Sequence, residues 1–379
     1  MNDRRALLIF GMHRSGTSAL TRILNLRGAS LPEDLLPANA FNVSGYWEPA
    51  AIVTLHDQLL EEAGSRWDDP TGFLQPWFEA ESETGRGSVE RIAEVVAAEF
   101  GESPLIVIKD PRACRMVPAW KAALARLGIE PLVVLTVRHP FEVAASLHRR
   151  DGMPQAQALL LWLQHQLVAE AETRSLARVI VTYDQVLDDW RGVLARIDRH
   201  FDLRLAPTTR EADRGIEAFL DPSLRHERAS PAGPDGQPEV ASWLRRVHGW
   251  YEQASLSDAG IDAGDLDVVR DEVARADQVY APLLRWYRRR EREQEQLGLS
   301  LERRQLEAAE GMRHEIALWQ QRAEESERRC RDLASRMTAG ETQLREAGHV
   351  QDDLRQQIRM MESSWFWQMR ARLNSLLGR

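Results

Sequence analysis

The chain has 379 residues, a formal net charge of −9, and is 43% hydrophobic and 28% charged. That length can bury a sizeable core and more than one structural unit. The acidic balance gives no global reason to expect nucleic acid or an anionic membrane as partner, but it leaves room for a local basic pocket that holds a small anion. The two cysteines, Cys114 and Cys330, are far apart and fit no paired metal spacing, which points to reduced thiols in a cytoplasmic setting. The N-terminal apolar run is too short for a secretory signal and no segment reaches bilayer length. The expectation is therefore an intracellular protein that partners can hold at a membrane.

Ala6–Phe10 reads as the first strand and runs into GMHRSGTSAL at positions 11–20. Ser18–Arg27 then reads as a helix, with Leu20, Ile23, Leu24 and Leu26 as its apolar residues. Another helix starts at Pro49. Pro104–Ile108, Pro131–Val137 and Arg178–Thr182 are further buried-strand candidates. Helical patterns lie between them at 86–100, 114–127, 140–150 and 155–174, with another at 184–200. Strands alternating with helices predict a parallel sheet covered on both faces. Residues 204–240 are rich in proline, glycine and charge and predict a loop or lid. Helices at 239–256 and 264–290 follow, with Trp243, Trp250, Tyr280, Leu284 and Trp286 available to dock on the core.

The globular part, 1–290, is expected to end there, because the composition then shifts to RRREREQEQ and a long Glu/Arg/Gln-rich segment. A heptad register runs from Ile316 through Trp319, Ala323, Ser326, Cys330, Leu333, Met337, Gly340, Leu344, Ala347, Gln351, Leu354, Ile358 and Met361 to Trp365. Most of these positions are apolar, which predicts a coiled coil over 291–362 that joins copies of the chain or docks a protein partner. Its strand number is left open, and a solitary charged helix is the competing reading. The tail at 363–379, SSWFWQMRARLNSLLGR, is apolar and basic and fits either a contact with a membrane surface or partner, or a simple helix cap.

Chemistry concentrates in the first 200 residues. Gly11 and Gly16 bracket four residues as in the phosphate loop G-x-x-x-x-G-K-S/T, but Thr17 stands where the lysine belongs and Ser18 keeps the final hydroxyl. The backbone cradle and helix N-terminus survive, so an anion site is expected. Arg14 sits two residues before Gly16, where a guanidinium can fork onto a phosphate or its adduct. No strand ends in an acidic pair for Mg²⁺, although Lys109-Asp110 follows one. A second strand ends in VRHPFEVAASLHRR, putting Arg138 at its terminus and Ser146 eight residues later in the next helix. An arginine with a hydroxyl suits a second, separate phosphate monoester.

These residues together resemble the sulfotransferases that use 3′-phosphoadenosine 5′-phosphosulfate (PAPS). His13-Arg14-Ser15-Gly16-Thr17-Ser18 is similar to that family's 5′-phosphosulfate loop, Arg138…Ser146 to its 3′-phosphate element, and Val181–Leu187 to its "xYEDL" strand-to-helix junction. The resemblance implies a three-layer α/β fold like that of the P-loop NTPases, PAPS as donor, no metal, and those residues as its binding set. Ile108-Lys109-Asp110-Pro111-Arg112 lacks the histidine of the cytosolic enzymes and resembles the Lys-Asp-Pro of the Golgi-type tyrosylprotein sulfotransferases. There the lysine stabilises the transferring group and a glutamate is the base. Glu48, beside Tyr46 and Trp47, is the candidate here; Glu33, Asp110 and His56 remain alternatives. Arg225 and Arg228 stand where related enzymes supply late contacts to the donor. The domain followed by a coiled coil resembles bacterial enzymes of surface-polysaccharide modification, which implies a saccharide or glycolipid acceptor. The competing readings are a P-loop kinase using ATP and a scaffold built on a decayed sulfotransferase domain.

Overall fold

The structure is a computed structural model that describes residues 4–38, 45–71, 78–207, 209–220, 238–257 and 260–378, with only the backbone of 238–241. By internal contacts the chain divides into two compact units, Met1–Tyr287 and Arg288–Arg379. In the first unit, strands β1 (Arg5–Phe10), β2 (Leu105–Ile108), β3 (Glu130–Val137) and β4 (Ala177–Thr182) form one parallel sheet in the order β2-β1-β3-β4. Leu7 of β1 pairs with Val107 on one side and Leu132 on the other. β1 is thus central and covered on both faces, which explains its unbroken apolar run rather than an alternating pattern.

The pleat deals β1 residues to two cores. Ala6, Leu8 and Phe10 face a large core, whose bulkiest fully buried members are Trp120, Trp162 and Tyr251. Leu7 and Ile9 face a smaller one with Leu20, Ile23 and Ile197. On the larger side lie α2 (Ala50–Glu62), α3 (Glu83–Phe100), α4 (Val117–Arg126), α5 (Pro140–Asp151), α6 (Gln155–Glu172) and α10 (Pro238–Ala254). The smaller side carries α1 (Thr17–Leu26), α7 (Tyr183–Asp188), α8 (Trp190–Phe201) and α9 (Arg210–Phe219). Two helical layers around a parallel sheet, with a loop from the central strand into α1, make the three-layer P-loop-NTPase-like fold.

The structure differs from the sequence expectations at several places. The interval 204–240 is not all loop, because α9 lies within it. Thr209 Oγ1 caps that helix by accepting from Ala212 N at 3.1 Å, and Ala212 and Ile216 bury one face. Charge dominates its sequence, but the i, i+4 apolar pair carries the packing. The pattern at 184–200 is two helices, broken where Asp189 turns out of α7 and caps α8 through Gly192 N at 2.9 Å. A 3₁₀ turn, Pro111–Arg115, precedes α4. Trp250 is buried and Trp243 packs against the core, whereas Tyr280, Leu284 and Trp286 are exposed. The helix begun at Gly264, α11, runs unbroken to Ser363, and α12 (Trp365–Leu376) follows. Among the described residues no helix is long and apolar enough to cross a membrane.

Candidate active site

The C-terminal ends of β1, β2 and β3 place three loops around one cleft, and the local backbone explains how. Gly11 lies so close to β3 that a Cβ there would sit 2.3 Å from Thr136 Oγ1. Gly16, at φ 86°, would put a Cβ 2.4 Å from the Tyr183 ring. Both positions require glycine for close approach. Between them Arg14 holds a left-handed φ of 68°, a conformation that costs a non-glycine residue of order 1–3 kcal/mol and clusters at functional loops. Gly16 is the N-cap of α1 and supplies no side-chain cap, so the helix opens on the cleft with uncapped N–H groups.

Ser15 Oγ is fully buried and His13 Nε2 is buried beside it, and neither has a hydrogen-bond partner. Orphaned buried polar atoms carry a desolvation cost of ~1–3 kcal/mol each, so two in a loop of six residues make this loop the candidate for ligand contacts. Burial is the main cause that drives His13 well below the ordinary histidine value, helped by the positive charges of Arg150 and Arg112. The ring is therefore neutral at pH 7.

Guanidiniums crowd the side of the cleft formed by the loop and α5. Arg14 Nε donates to Ser146 Oγ at 2.9 Å, and Arg138 donates to the Arg14 carbonyl oxygen at 3.3 Å. Arg138 also lies over the Tyr183 ring at 4.6 Å and pairs with Glu142 at 2.8 Å. Arg150 lines the same cleft. Burial first, and then repulsion from Arg150 and Arg138, push Arg14 below its ordinary value. An anion placed there would relieve that repulsion.

The opposite side is a connected set of paired charges. Lys109, almost fully buried, donates to Glu48 Oε1 in a short contact, to Ser18 Oγ at 3.1 Å and to the Tyr46 carbonyl oxygen at 3.0 Å. Arg112 lies 3.9 Å from the other Glu48 oxygen and bonds Asp57 at 2.6 Å and Asp110 at 3.0 Å. Asp110 also accepts from His56 Nδ1 at 2.7 Å, while Trp120 Nε1 donates to His56 Nε2 at 3.0 Å. That indole donor fixes the tautomer, with the proton on Nδ1 facing Asp110.

These bonds separate the candidate bases. His56 is fully buried with both nitrogens engaged. Burial tends to raise Asp110, but the Arg112 guanidinium and the His56 hydrogen bond overcome it and hold that carboxyl well below the usual range. Such a group orients its neighbours and is a poor proton acceptor. Glu33 is exposed and does not line the cleft. Glu48 lines it; burial pushes its carboxyl up, against the pull of Lys109 and with help from the Asp110 charge.

Of the residues singled out by sequence, the structure brings His13, Arg14, Gly16, Thr17, Ser18, Glu48, Lys109 and Arg138 to one cleft. Ser146 reaches it through Arg14. Arg225 and Arg228 lie outside the described residues. Sequence reasoning missed Arg150 and Arg112. Arg138, Glu142, Ser146 and Arg150 recur every four residues, a helical stripe that already pointed to Arg150. Arg112 follows Lys-Asp-Pro directly, on the turn that Pro111 begins.

A parallel α/β sheet with a glycine-bracketed loop after its central strand and a cleft at its strand ends defines the class of fold. Solved structures similar to this chain include the following three. Sulfotransferase STF1 from Mycobacterium tuberculosis H37Rv is 18% identical over 56% of this chain and 71% of that one, at a TM-score of 0.32. The sulfotransferase domain of the Synechococcus PCC 7002 olefin synthase is 15% identical over 72% and 95%, at 0.36. The sulfotransferase domain from the curacin biosynthetic pathway is 12% identical over 72% and 98%, also at 0.36. No protein-family model and no curated protein matches the chain. Likenesses at this level carry no weight on the chemistry, which rests on the side chains described above.

Proposed function

We propose that the protein is a PAPS-dependent sulfotransferase that moves a sulfuryl group to an acceptor hydroxyl, with a saccharide or glycolipid as the acceptor class. The observation that carries this reading is the crowding of Arg14, Arg138 and Arg150 around a loop with buried, unpartnered polar atoms. In this reading the N–H groups of residues 15–18 and the Ser15 hydroxyl take the 5′-phosphosulfate, while Arg138 and Ser146 take the 3′-phosphate. Arg14 spans the two, since its side chain already reaches Ser146.

Sulfuryl transfer forms a bond from the acceptor oxygen to sulfur and breaks the bond from sulfur to the bridging oxygen. The electron pair leaves with 3′,5′-adenosine bisphosphate. Lys109, at the head of α1 beside Ser18, neutralises charge that builds on the transferring group and the bridging oxygen. Glu48 takes the acceptor proton. Lys109 and Glu48 begin bonded to each other; once Lys109 turns to the sulfuryl oxygens, Glu48 loses its counter-ion and becomes the stronger base. Arg112 and the buried Asp110–His56–Trp120 chain hold both in place. The proposed division of labour gives 1–290 to transfer, 291–362 to a coiled coil and 363–379 to a tail.

Calorimetric titration of the full chain with 3′,5′-adenosine bisphosphate and with ATP tests the donor. The expected result is at least ~10-fold tighter binding of the bisphosphate; tighter ATP binding would replace this reading with that of a P-loop kinase.

A further inference from the structure

The second unit consists almost entirely of exposed helix. Residues 288–363 continue α11 without a break, through Gly340 and Gly348, with nearly all of their side chains exposed. Along this stretch Ile316, Trp319, Leu333, Leu344, Leu354 and Ile358 are each more than half exposed. They fall on a 3.5-residue repeat that spans seven heptads, with Ile316, Leu344 and Ile358 at position a and Trp319, Leu333 and Leu354 at position d. Met312 extends the same seam one step toward the N-terminus. A stripe of large apolar side chains of this length is a surface that water disfavours and a partner helix covers.

The flanking charges say which partner. In a parallel pair, the residue at position g of one helix meets position e of the other, five residues further on. Arg322 then meets Glu327 of the partner, and Arg336 meets Glu341 of the partner. The other g-to-e pairings, Arg329 with Ala334, Gln343 with Gly348, Val350 with Arg355 and Gln357 with Glu362, bring no like charges together. An antiparallel pair matches g with g and e with e. With the seam fully overlapped, Arg322 would meet Gln357, Arg329 Val350 and Arg336 Gln343 across g, and Gln320 would meet Arg355, Glu327 Gly348 and Ala334 Glu341 across e, so no opposite charges pair. Only the parallel pair therefore gains attractive charge contacts along the seam.

The seam also sets strand number and register. Ile358 at a beside Leu354 at d is the β-branched and leucine combination that favours two strands. Gln351 is the polar residue at an a position; in register its amide meets the same amide of the partner, whereas any slip buries it against apolar side chains. We infer that residues 312–361 form a parallel, in-register, two-stranded coiled coil with a second copy of this chain. This inference is independent of the donor and acceptor proposed above.

Cys330 makes the inference testable, because it occupies an a position and is exposed, whereas Cys114 is fully buried. In a parallel, in-register pair each seam residue faces its own counterpart, close enough for a disulfide. Light scattering on the full chain at tens of micromolar is expected to give twice 43.2 kDa. Diamide oxidation is expected to link the wild type through Cys330. The double variant Cys330→Ala, Leu354→Cys is expected to link equally well at its new site. An antiparallel pair cannot bring both sites to their counterparts, since they are 24 residues apart. Linkage at only one site, a trimer or tetramer, or a monomeric mass would each overturn the inference. Leu333→Asp with Leu344→Asp is expected to give a monomer whose binding of 3′,5′-adenosine bisphosphate is unchanged. A variant that remains dimeric would place the interface elsewhere.

Discussion

The two banks of the cleft are both rich in buried charge, yet they are built on opposite principles. On the loop and α5 bank, Arg14 meets the Ser146 hydroxyl, Arg138 pairs with Glu142 and Arg150 with Asp151, three guanidiniums against two carboxylates, and the buried Ser15 hydroxyl stands without a partner. On the β2 bank, Lys109 and Arg112 meet Glu48, Asp110 and Asp57, and hydrogen bonds run on through His56 to Trp120. The first bank is short of negative charge and the second supplies its own. A site that must take a dianion from solution needs the first arrangement. One that must hold a lysine and a carboxylate ready for proton and charge transfer needs the second.

Several substitutions can break or sharpen that contrast. The largest effect is expected at Lys109→Ala, with transfer reduced on the order of 10²–10³-fold while 3′,5′-adenosine bisphosphate still binds within a few-fold of wild type. A binding loss as large as the rate loss would erase the distinction between the banks. Glu48→Gln is expected to cost a comparable ~10²–10³-fold in kcat. Because burial raises the Glu48 carboxyl, activity should fall with decreasing pH from above the ordinary carboxylate range, and a pH–rate profile that kept this limb in the glutamine variant would remove Glu48 as base.

Arg138→Ala reverses the pattern. Titration calorimetry should show bisphosphate binding weakened roughly 10–100-fold, the scale of a lost charge-assisted contact. The effect should shrink for 5′-AMP, which lacks the 3′-phosphate. An equal loss for both nucleotides would remove Arg138 from the 3′ site.

Asp110 yields a smaller effect, on stability. Its folded value lies below the unfolded one, about 3.9, so it stabilises the fold at and above that pH, and the contribution is lost as pH falls below it. Asp110→Asn should lower the melting temperature at pH 6 and narrow its gap to wild type as the pH approaches 3. His165 acts in the adjoining window. Burial lowers it to about 3, so the unfolded chain binds its proton first and stability falls as pH drops from about 6.5 toward that value. Melting curves of His165→Gln should have a shallower slope there, and an unchanged slope would assign the effect to other groups.

The strands and the α1 loop were legible because burial on both faces makes continuous apolar runs and because the glycine spacing has one steric purpose. The helix α9 was not, since Ala212 and Ile216 are few among charges and only tertiary packing gives them meaning. At the site, sequence order treated Arg14 and Ser146 as parts of two separate anion sites, and only the fold reveals that one donates to the other. His56 stood as a candidate base until Trp120, 64 residues away, was seen to occupy its second nitrogen. Long-range hydrogen bonds of this kind leave no local pattern. Arg150 was within reach, because its four-residue spacing from Ser146 is written in the chain.

The most direct test of the two-bank account is transfer of radiolabelled sulfur from PAPS to fractionated cell extract, run in parallel with wild type and Lys109→Ala. The account predicts label in a saccharide or glycolipid fraction with wild type and almost none with the variant, while both proteins bind the adenosine bisphosphate. Undiminished label with Lys109→Ala, or no label in any fraction with wild type that binds PAPS, would contradict it.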